Sequence, residues 1–224
     1  MIKAVIFDMD GILVDSESLW KIAEREVFSS LGVIMDDESC TQTMSMTTAE
    51  VTKFWFAKNP WKGKSLNNVE QMVVSRVIEL IQTKDCEIDG IKDTVRKLKS
   101  MGFKIGLATN APYRIVPEVL TKLELAQLFN TTTSSEFEER GKPYPDVYIT
   151  ASKNLDELAH YCIAIEDSES GIKAAKRAGM TVIGFTNNGK NKNLSEAELL
   201  IDNFKNTDWD INIERLNEKV GSKL

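Results

Sequence analysis

The sequence predicts an α/β fold with a parallel sheet, interrupted after its first strand by an all-helical block. Two observations lead there. From residue 88 onward, short apolar β-prone runs alternate with helical stripes, the pattern of strands joined by crossover helices. Between the first such run, at residues 4–7, and that region, residues 16–86 show helical periodicity and no strand. The first strand belongs with the later ones, so the helical block is an insertion. The boundaries that follow are a core of residues 1–15 and 87–224 and an inserted helical block of residues 16–86.

Ala4, Val5, Ile6 and Phe7 form an apolar run suited to a strand buried on both faces. Leu19, Ile22, Ala23, Val27 and Leu31 then recur at helical spacing, and Gly32 is a natural stop. Thr47 and Glu50 have the spacing of a capping box, and the helix it opens carries Val51, Phe54 and Trp55. Asn59, Pro60 and Gly63 break that helix. Val69, Met72, Val73, Val77, Leu80 and Ile81 make another amphipathic stripe. In the second half, Ile91, Val95 and Leu98 mark a helix ending at Gly102, and a strand follows at residues 104–108. Pro112 opens a helix through Ile115, Val119 and Leu123. A weak strand at residues 131–133, a helix from Pro145 through Val147, Tyr148 and Ala151, and a strand ending at Ile165 come next. A helix ending near Gly179 and a strand at residues 181–185 complete the alternation. The tail is expected to add a short strand at residues 199–201 and a terminal helix.

Composition excludes several classes of function. The net charge of −6 speaks against a nucleic-acid partner, which calls for a basic patch. Cys40, Cys86 and Cys162 form no paired motif and read as reduced thiols of a cytoplasmic protein. Apolar runs are strand-sized, and acidic residues come too early for a signal peptide, so neither membrane span nor leader is expected. His160 is the single histidine, which argues against histidine-rich zinc sites and histidine-based triads. It sits just before an apolar run and reads as structural. No dominant apolar seam is visible, so a monomer is the default.

Ligands of parallel sheets bind at the carboxyl ends of the strands, so the residues that follow each strand carry the functional signal. After Phe7 come Asp8 and Asp10; after Ala108, Thr109 and Asn110; after Ile165, Glu166 and Asp167; and Lys142 lies in the loop before Pro145. A carboxylate such as Asp8 can attack phosphorus, and a second, Asp10, can serve as general acid and base. Magnesium with oxygen ligands from Asp8 and Asp167 would neutralise a phosphate placed among carboxylates. Lys142 adds a positive charge, and Thr109 and the backbone at Asn110 offer donors. Each feature also has a plain structural reading: an Asp-x-Asp turn, a helix N-cap at the Glu-Asp pair, a turn before Pro112. The set at successive strand ends is more specific than any member.

With these residues in view, the chain resembles the haloacid dehalogenase superfamily of phosphatases. The run from Asp8, Met9, Asp10 and Gly11 to Asp15 and Ser16 resembles its first motif, and Thr109, Lys142 and Glu166–Asp167 resemble the other three. The resemblance spans nearly the whole chain. It implies a Rossmann-like parallel sheet core with an inserted all-helical cap domain that opens and closes about hinges near Asp15 and Cys86–Glu87. It also implies Asp8 as nucleophile and Asp10 as general acid/base. Mg2+ would be held by Asp8, the Asp10 backbone carbonyl and Asp167, with Glu166 on the metal or one step removed. Thr109, Asn110 and Lys142 would hold the phosphate.

The stretches from Asp15 to Trp20 and from Phe54 to Gly63 resemble bacterial 2-deoxyglucose-6-phosphatases, also called hexitol phosphatases. Trp55 and Trp61 read as cap packing, whereas Trp20 is a candidate wall of a leaving-group pocket. β-Phosphoglucomutases share the four motifs but typically carry histidine at position 20. Dehalogenases of the superfamily typically lack the second aspartate, and P-type ATPases need membrane spans. The implied activity is hydrolysis of small phosphorylated metabolites, with hexose or hexitol phosphates such as 2-deoxyglucose 6-phosphate foremost. A phosphosugar mutase and a phosphatase of another small ester such as phosphoglycolate are the alternatives.

Overall fold

The computed structural model describes residues 1–43 and 46–221. The chain divides into two compact units: residues up to Asp15 together with those from Glu87 onward, and Ser16–Cys86.

The first unit is built on β1 (Ala4–Phe7), β2 (Lys104–Thr109), β3 (Thr131–Ser134), β4 (Cys162–Glu166), β5 (Thr181–Phe185) and β6 (Leu199–Ile201). They form one six-stranded sheet in the order β3-β2-β1-β4-β5-β6, and every pairing is parallel. The apolar run of β1 is buried at each position, as suits the central strand of a sheet covered on both faces. β3, composed of three threonines and a serine, lies at one edge. Hydroxyl-bearing residues weaken its apolar signal, while Gly106 and Thr131 set its register against β2.

The second unit is helical: α1 (Glu17–Ser30), α2 (Asp37–Thr43), α3 (Thr48–Lys58) and α4 (Leu66–Thr83). Both limbs of the capping box are formed. The Thr47 hydroxyl accepts from the Glu50 N–H at 3.3 Å, and Glu50 Oε2 accepts from the Thr47 N–H at 2.7 Å. Ser65 Oγ caps α4 by accepting from the Asn68 N–H at 3.1 Å. α1 and α3 pack on α4. Phe28 brings the aromatic core together, with its ring 6.2 Å from Trp55 and 6.0 Å from Trp61. α2 has no apolar stripe and was not visible in the periodicity.

The remaining helices flank the sheet: α5 (Ile91–Ser100), α6 (Val116–Lys122), α7 (Asp146–Asn154), α8 (Glu169–Arg177) and α9 (Trp209–Gly221). The helix expected from Pro112 begins as a single 3-10 turn, Tyr113–Ile115, before α6. Ala4, Ile6, Ala108, Ala164 and Val182 form the sheet face that packs on Val147, Tyr148 and Ala151 of α7 and Ile172 and Ala175 of α8. Small residues in the strands let these helices lie close to the sheet. No helix among the described residues is long and apolar enough to cross a membrane.

Candidate active site

The strand order reverses between β1 and β4, where β1 connects away to one side and β4 continues to the other. Crevices at such switch points take ligands in open α/β sheets. Asp8 directly follows β1 there, and Glu166 is the last residue of β4. The two strands are in register, and the Asp8 N–H extends the ladder by donating to the Ile165 carbonyl at 3.0 Å.

Past Asp8 the chain turns sharply. The Leu13 N–H donates to the Met9 carbonyl at 2.8 Å, and the Gly11 N–H to the Val14 carbonyl at 2.7 Å. Gly11 adopts φ 78°, and a Cβ there would lie 1.9 Å from Asp167 Oδ2. Only glycine both takes this turn and leaves room for that carboxylate.

Lys142 organises the cluster. Its ammonium donates to Asp8 Oδ1 at 2.7 Å, Glu166 Oε1 at 2.6 Å and the Ala108 carbonyl at 2.9 Å. An ammonium has three protons, so all are committed to these partners. Its loop is clamped by Asn110, whose Oδ1 accepts from the Lys142 N–H at 2.9 Å. Asn110 Nδ2 reaches back to the Lys142 carbonyl at 3.4 Å. The Asn110 side chain therefore ties the strand-end loop to the Lys142 backbone. Thr109 is fully buried, and its Oγ1 accepts from the Ala111 N–H at 3.0 Å.

Glu166 is fully buried. Besides Lys142, it accepts from the Tyr148 hydroxyl, which meets Oε1 at 2.5 Å, and Ser168 Oγ lies 3.3 Å from Oε2. Ser168 also caps α8 by accepting from the Gly171 N–H at 3.1 Å. Helix capping thus falls to Ser168 and not to the Glu166–Asp167 pair. Sequence reading placed Tyr148 only on a helix stripe, because which polar group its hydroxyl meets depends on the topology.

One carboxylate oxygen from each of Asp8, Glu166 and Asp167 lies within 4.8 Å of the others. Crowding of carboxylates in a buried place has electrostatic consequences. Burial first, then the Glu166 and Asp10 charges, push Asp8 up to about 7 from 3.8, against the opposing pull of Lys142. Asp167 is held well above its ordinary value by burial and by Asp8 and Glu166. Burial depresses Lys142, but the charges of Asp8 and Glu166 outweigh it and the net shift is upward. Three carboxylates around one buried ammonium form an oxygen-only set short of positive charge, which is the donor chemistry of a hard divalent cation such as magnesium. The convergence of three carboxylates, with Gly11 letting Asp167 close in on the turn, fits such an ion.

Trp20 lies in the first turn of α1 within the second unit, half-buried, and its backbone N–H donates to the Ser16 carbonyl at 2.9 Å. Trp55 is fully buried and Trp61 nearly so, as cap packing requires. His160 is exposed and its ring lies 4.0 Å from that of Tyr161.

The sequence profile of haloacid dehalogenase-like hydrolases matches residues 5–185. The chain is 37% identical over 183 residues to a protein of Escherichia coli K12 named hexitol phosphatase B, covering 81% of this chain and 82% of that one. It is 32% identical over 229 residues to a β-phosphoglucomutase of Bacillus subtilis, covering 97% and 95%. Among solved structures it is similar to that of CbbY from Rhodobacter sphaeroides in complex with phosphate. There the TM-score is 0.81 at 26% identity, with 92% of this chain and 96% of that chain covered. With the four motif segments gathered at one switch point and the profile running from the first strand to the fifth, the chain belongs to the haloacid dehalogenase-like hydrolases.

Proposed function

We propose that the protein hydrolyses small phosphate monoesters, hexose or hexitol phosphates such as 2-deoxyglucose 6-phosphate foremost, with magnesium and through a phosphoryl group carried on Asp8. The observation that carries this reading is the buried Asp8 carboxylate at the sheet's switch point, held by Lys142 through Oδ1 at 2.7 Å. With Oδ1 engaged, Oδ2 is the oxygen presented for attack. Asp8 displaces the leaving oxygen at phosphorus while Asp10 gives that oxygen a proton. Asp10 then takes a proton from water, water attacks the phosphoryl group, and inorganic phosphate leaves with Asp8 restored. Magnesium, held by Asp8, Asp167 and the Asp10 carbonyl with Glu166 beside them, would neutralise charge on the phosphoryl oxygens. Lys142 keeps the buried carboxylates in place and offsets their repulsion.

The hexitol phosphatase relative supports the substrate class. A phosphosugar mutase is the second reading, favoured by the B. subtilis relative, which matches nearly the full chain. Trp20 speaks against it, because an indole cannot pass a proton as histidine does. The test is a panel of hexose, hexitol and 2-deoxyhexose phosphates with phosphoglycolate and β-glucose 1-phosphate, each with and without magnesium. Magnesium-dependent phosphate release, fastest from the hexose or hexitol esters, is expected. Conversion of β-glucose 1-phosphate to glucose 6-phosphate without phosphate release would establish the mutase instead.

A further inference from the structure

Glu166 is held more tightly than a carboxylate that only bridges to a lysine. Tyr148, in the first turns of α7, is fully buried, and its hydroxyl donates to Glu166 Oε1 at 2.5 Å. Lys142 Nζ donates to that same oxygen at 2.6 Å and lies 5.0 Å from the centre of the Tyr148 ring. A carboxylate oxygen accepts about two hydrogen bonds, so Oε1 is saturated. Oε2 has a single longer contact, with Ser168 Oγ at 3.3 Å. Below the carboxylate the helix is bare: a Cβ at Gly171 would lie 2.0 Å from either oxygen. Glu166 therefore has one oxygen locked and one with capacity to spare, within the carboxylate group of Asp8 and Asp167.

We propose that Tyr148 is a positioning residue for the divalent cation: with Lys142 it saturates Glu166 Oε1, and so turns Oε2 toward the metal. The idea rests on the reading of this cluster as a cation site. A hydroxyl that orients a ligand carboxylate sets metal affinity without touching the metal or the substrate, and losing such a partner weakens binding by about 10–100-fold. Without Tyr148, Oε1 keeps one acceptor position open, the carboxylate is free to rotate, and the oxygen facing the ion is no longer fixed.

The test uses the full chain with magnesium chloride alone, titrated by calorimetry into the wild type, Tyr148→Phe and Thr133→Val. Phenylalanine keeps the buried ring and removes only the hydroxyl. Thr133 is a buried hydroxyl with no hydrogen-bond partner among the described residues, so its replacement by valine controls for the loss of a core hydroxyl. Tyr148→Phe is expected to raise the magnesium Kd by about 10-fold or more, and Thr133→Val to leave it unchanged. With p-nitrophenyl phosphate, Tyr148→Phe should need more magnesium for half-maximal rate, while KM for the ester and kcat at saturating magnesium stay within about two-fold, a smaller change than the metal term. An unchanged Kd in Tyr148→Phe, or an equal weakening in both variants, would overturn the proposal. A wild type that takes up no magnesium overturns it together with the cation reading. A wild type that binds magnesium but hydrolyses no ester overturns the proposed function alone and leaves Tyr148 to the calorimetry.

Discussion

Lys142 and Arg76 each meet two carboxylates, one in the sheet unit and the other in the helical unit, and the two settings could hardly differ more. Lys142 has 4% of its side chain exposed, against partners Asp8 at 11% and Glu166 at 0%. Arg76 pairs with Glu26 at 2.6 Å and Glu79 at 2.8 Å, but these glutamates are 51% and 63% exposed. Exposed pairs cost little to form and contribute little. A buried cluster costs several kcal/mol per ion in desolvation and is repaid only when geometry and hydrogen bonds are good. The Arg76 pairs therefore sit on the surface of the helical unit, whose core around Phe28 is aromatic. In the sheet unit charge has been taken inside, with more carboxylates than ammonium, a composition that makes sense as chemistry and not as packing.

Four outcomes would sharpen or break this contrast. Lys142→Met should have the largest effect, since it leaves Asp8 and Glu166 facing each other without their shared cation. Without metal, denaturant unfolding should show a loss of about 3–5 kcal/mol, and turnover should collapse. Retention of both stability and rate would mean that the cluster is not held by this lysine. Gly11→Ala places a Cβ against the Asp167 carboxylate and strains the turn at φ 78°. A rate loss of about 100-fold is expected from displacement at the site, measured as kcat with the fold checked by circular dichroism. A fully active variant would show that Asp167 need not occupy its present place.

The third outcome concerns pH and metal. Burial and neighbouring carboxylates keep Asp8 protonated up to about pH 7, whereas the same group in the unfolded chain ionises near 3.8. Across that window the folded protein binds the extra proton, so the associated stability is present below pH 3.8 and is lost as pH rises through about 7. Asp167 acts in the same direction. In EDTA, Tm should fall between pH 5 and about 7.5, and saturating magnesium should flatten that fall, because a bound cation favours the ionised carboxylates. A Tm that rises with pH in EDTA would contradict the assigned direction. The smallest effect belongs to Arg76→Ala, which should leave kcat unchanged and Tm nearly so. A large loss of rate would mean that the surface pairs of the helical unit matter to the chemistry.

Much of this arrangement was legible in the sequence, for identifiable reasons. Short apolar runs such as Ala4 to Phe7 announce buried parallel strands, and the polar residues that follow them mark the rim where ligands bind. The threonine-rich β3 was faint because its side chains carry hydroxyls, yet its position beside β2 lets it pair. α2 was invisible because a seven-residue polar helix has no periodic apolar face. At the site, the types and order of Asp8, Asp10, Thr109, Lys142, Glu166 and Asp167 could be read, but their bonding could not. Lys142 spends its protons on two carboxylates and a carbonyl, Asn110 clamps the lysine loop, and Tyr148 locks Glu166. Each of these pairs residues far apart in the chain, and only the sheet topology brings them together.

The central claim is that Asp8 carries the phosphoryl group, and Asp8→Asn tests it most directly. The amide keeps the shape of the carboxylate but is not a competent nucleophile. Purified Asp8→Asn protein should keep its fold by circular dichroism and release no phosphate above background from the best ester of the panel at saturating magnesium. Appreciable magnesium-dependent phosphate release by that variant would contradict the account.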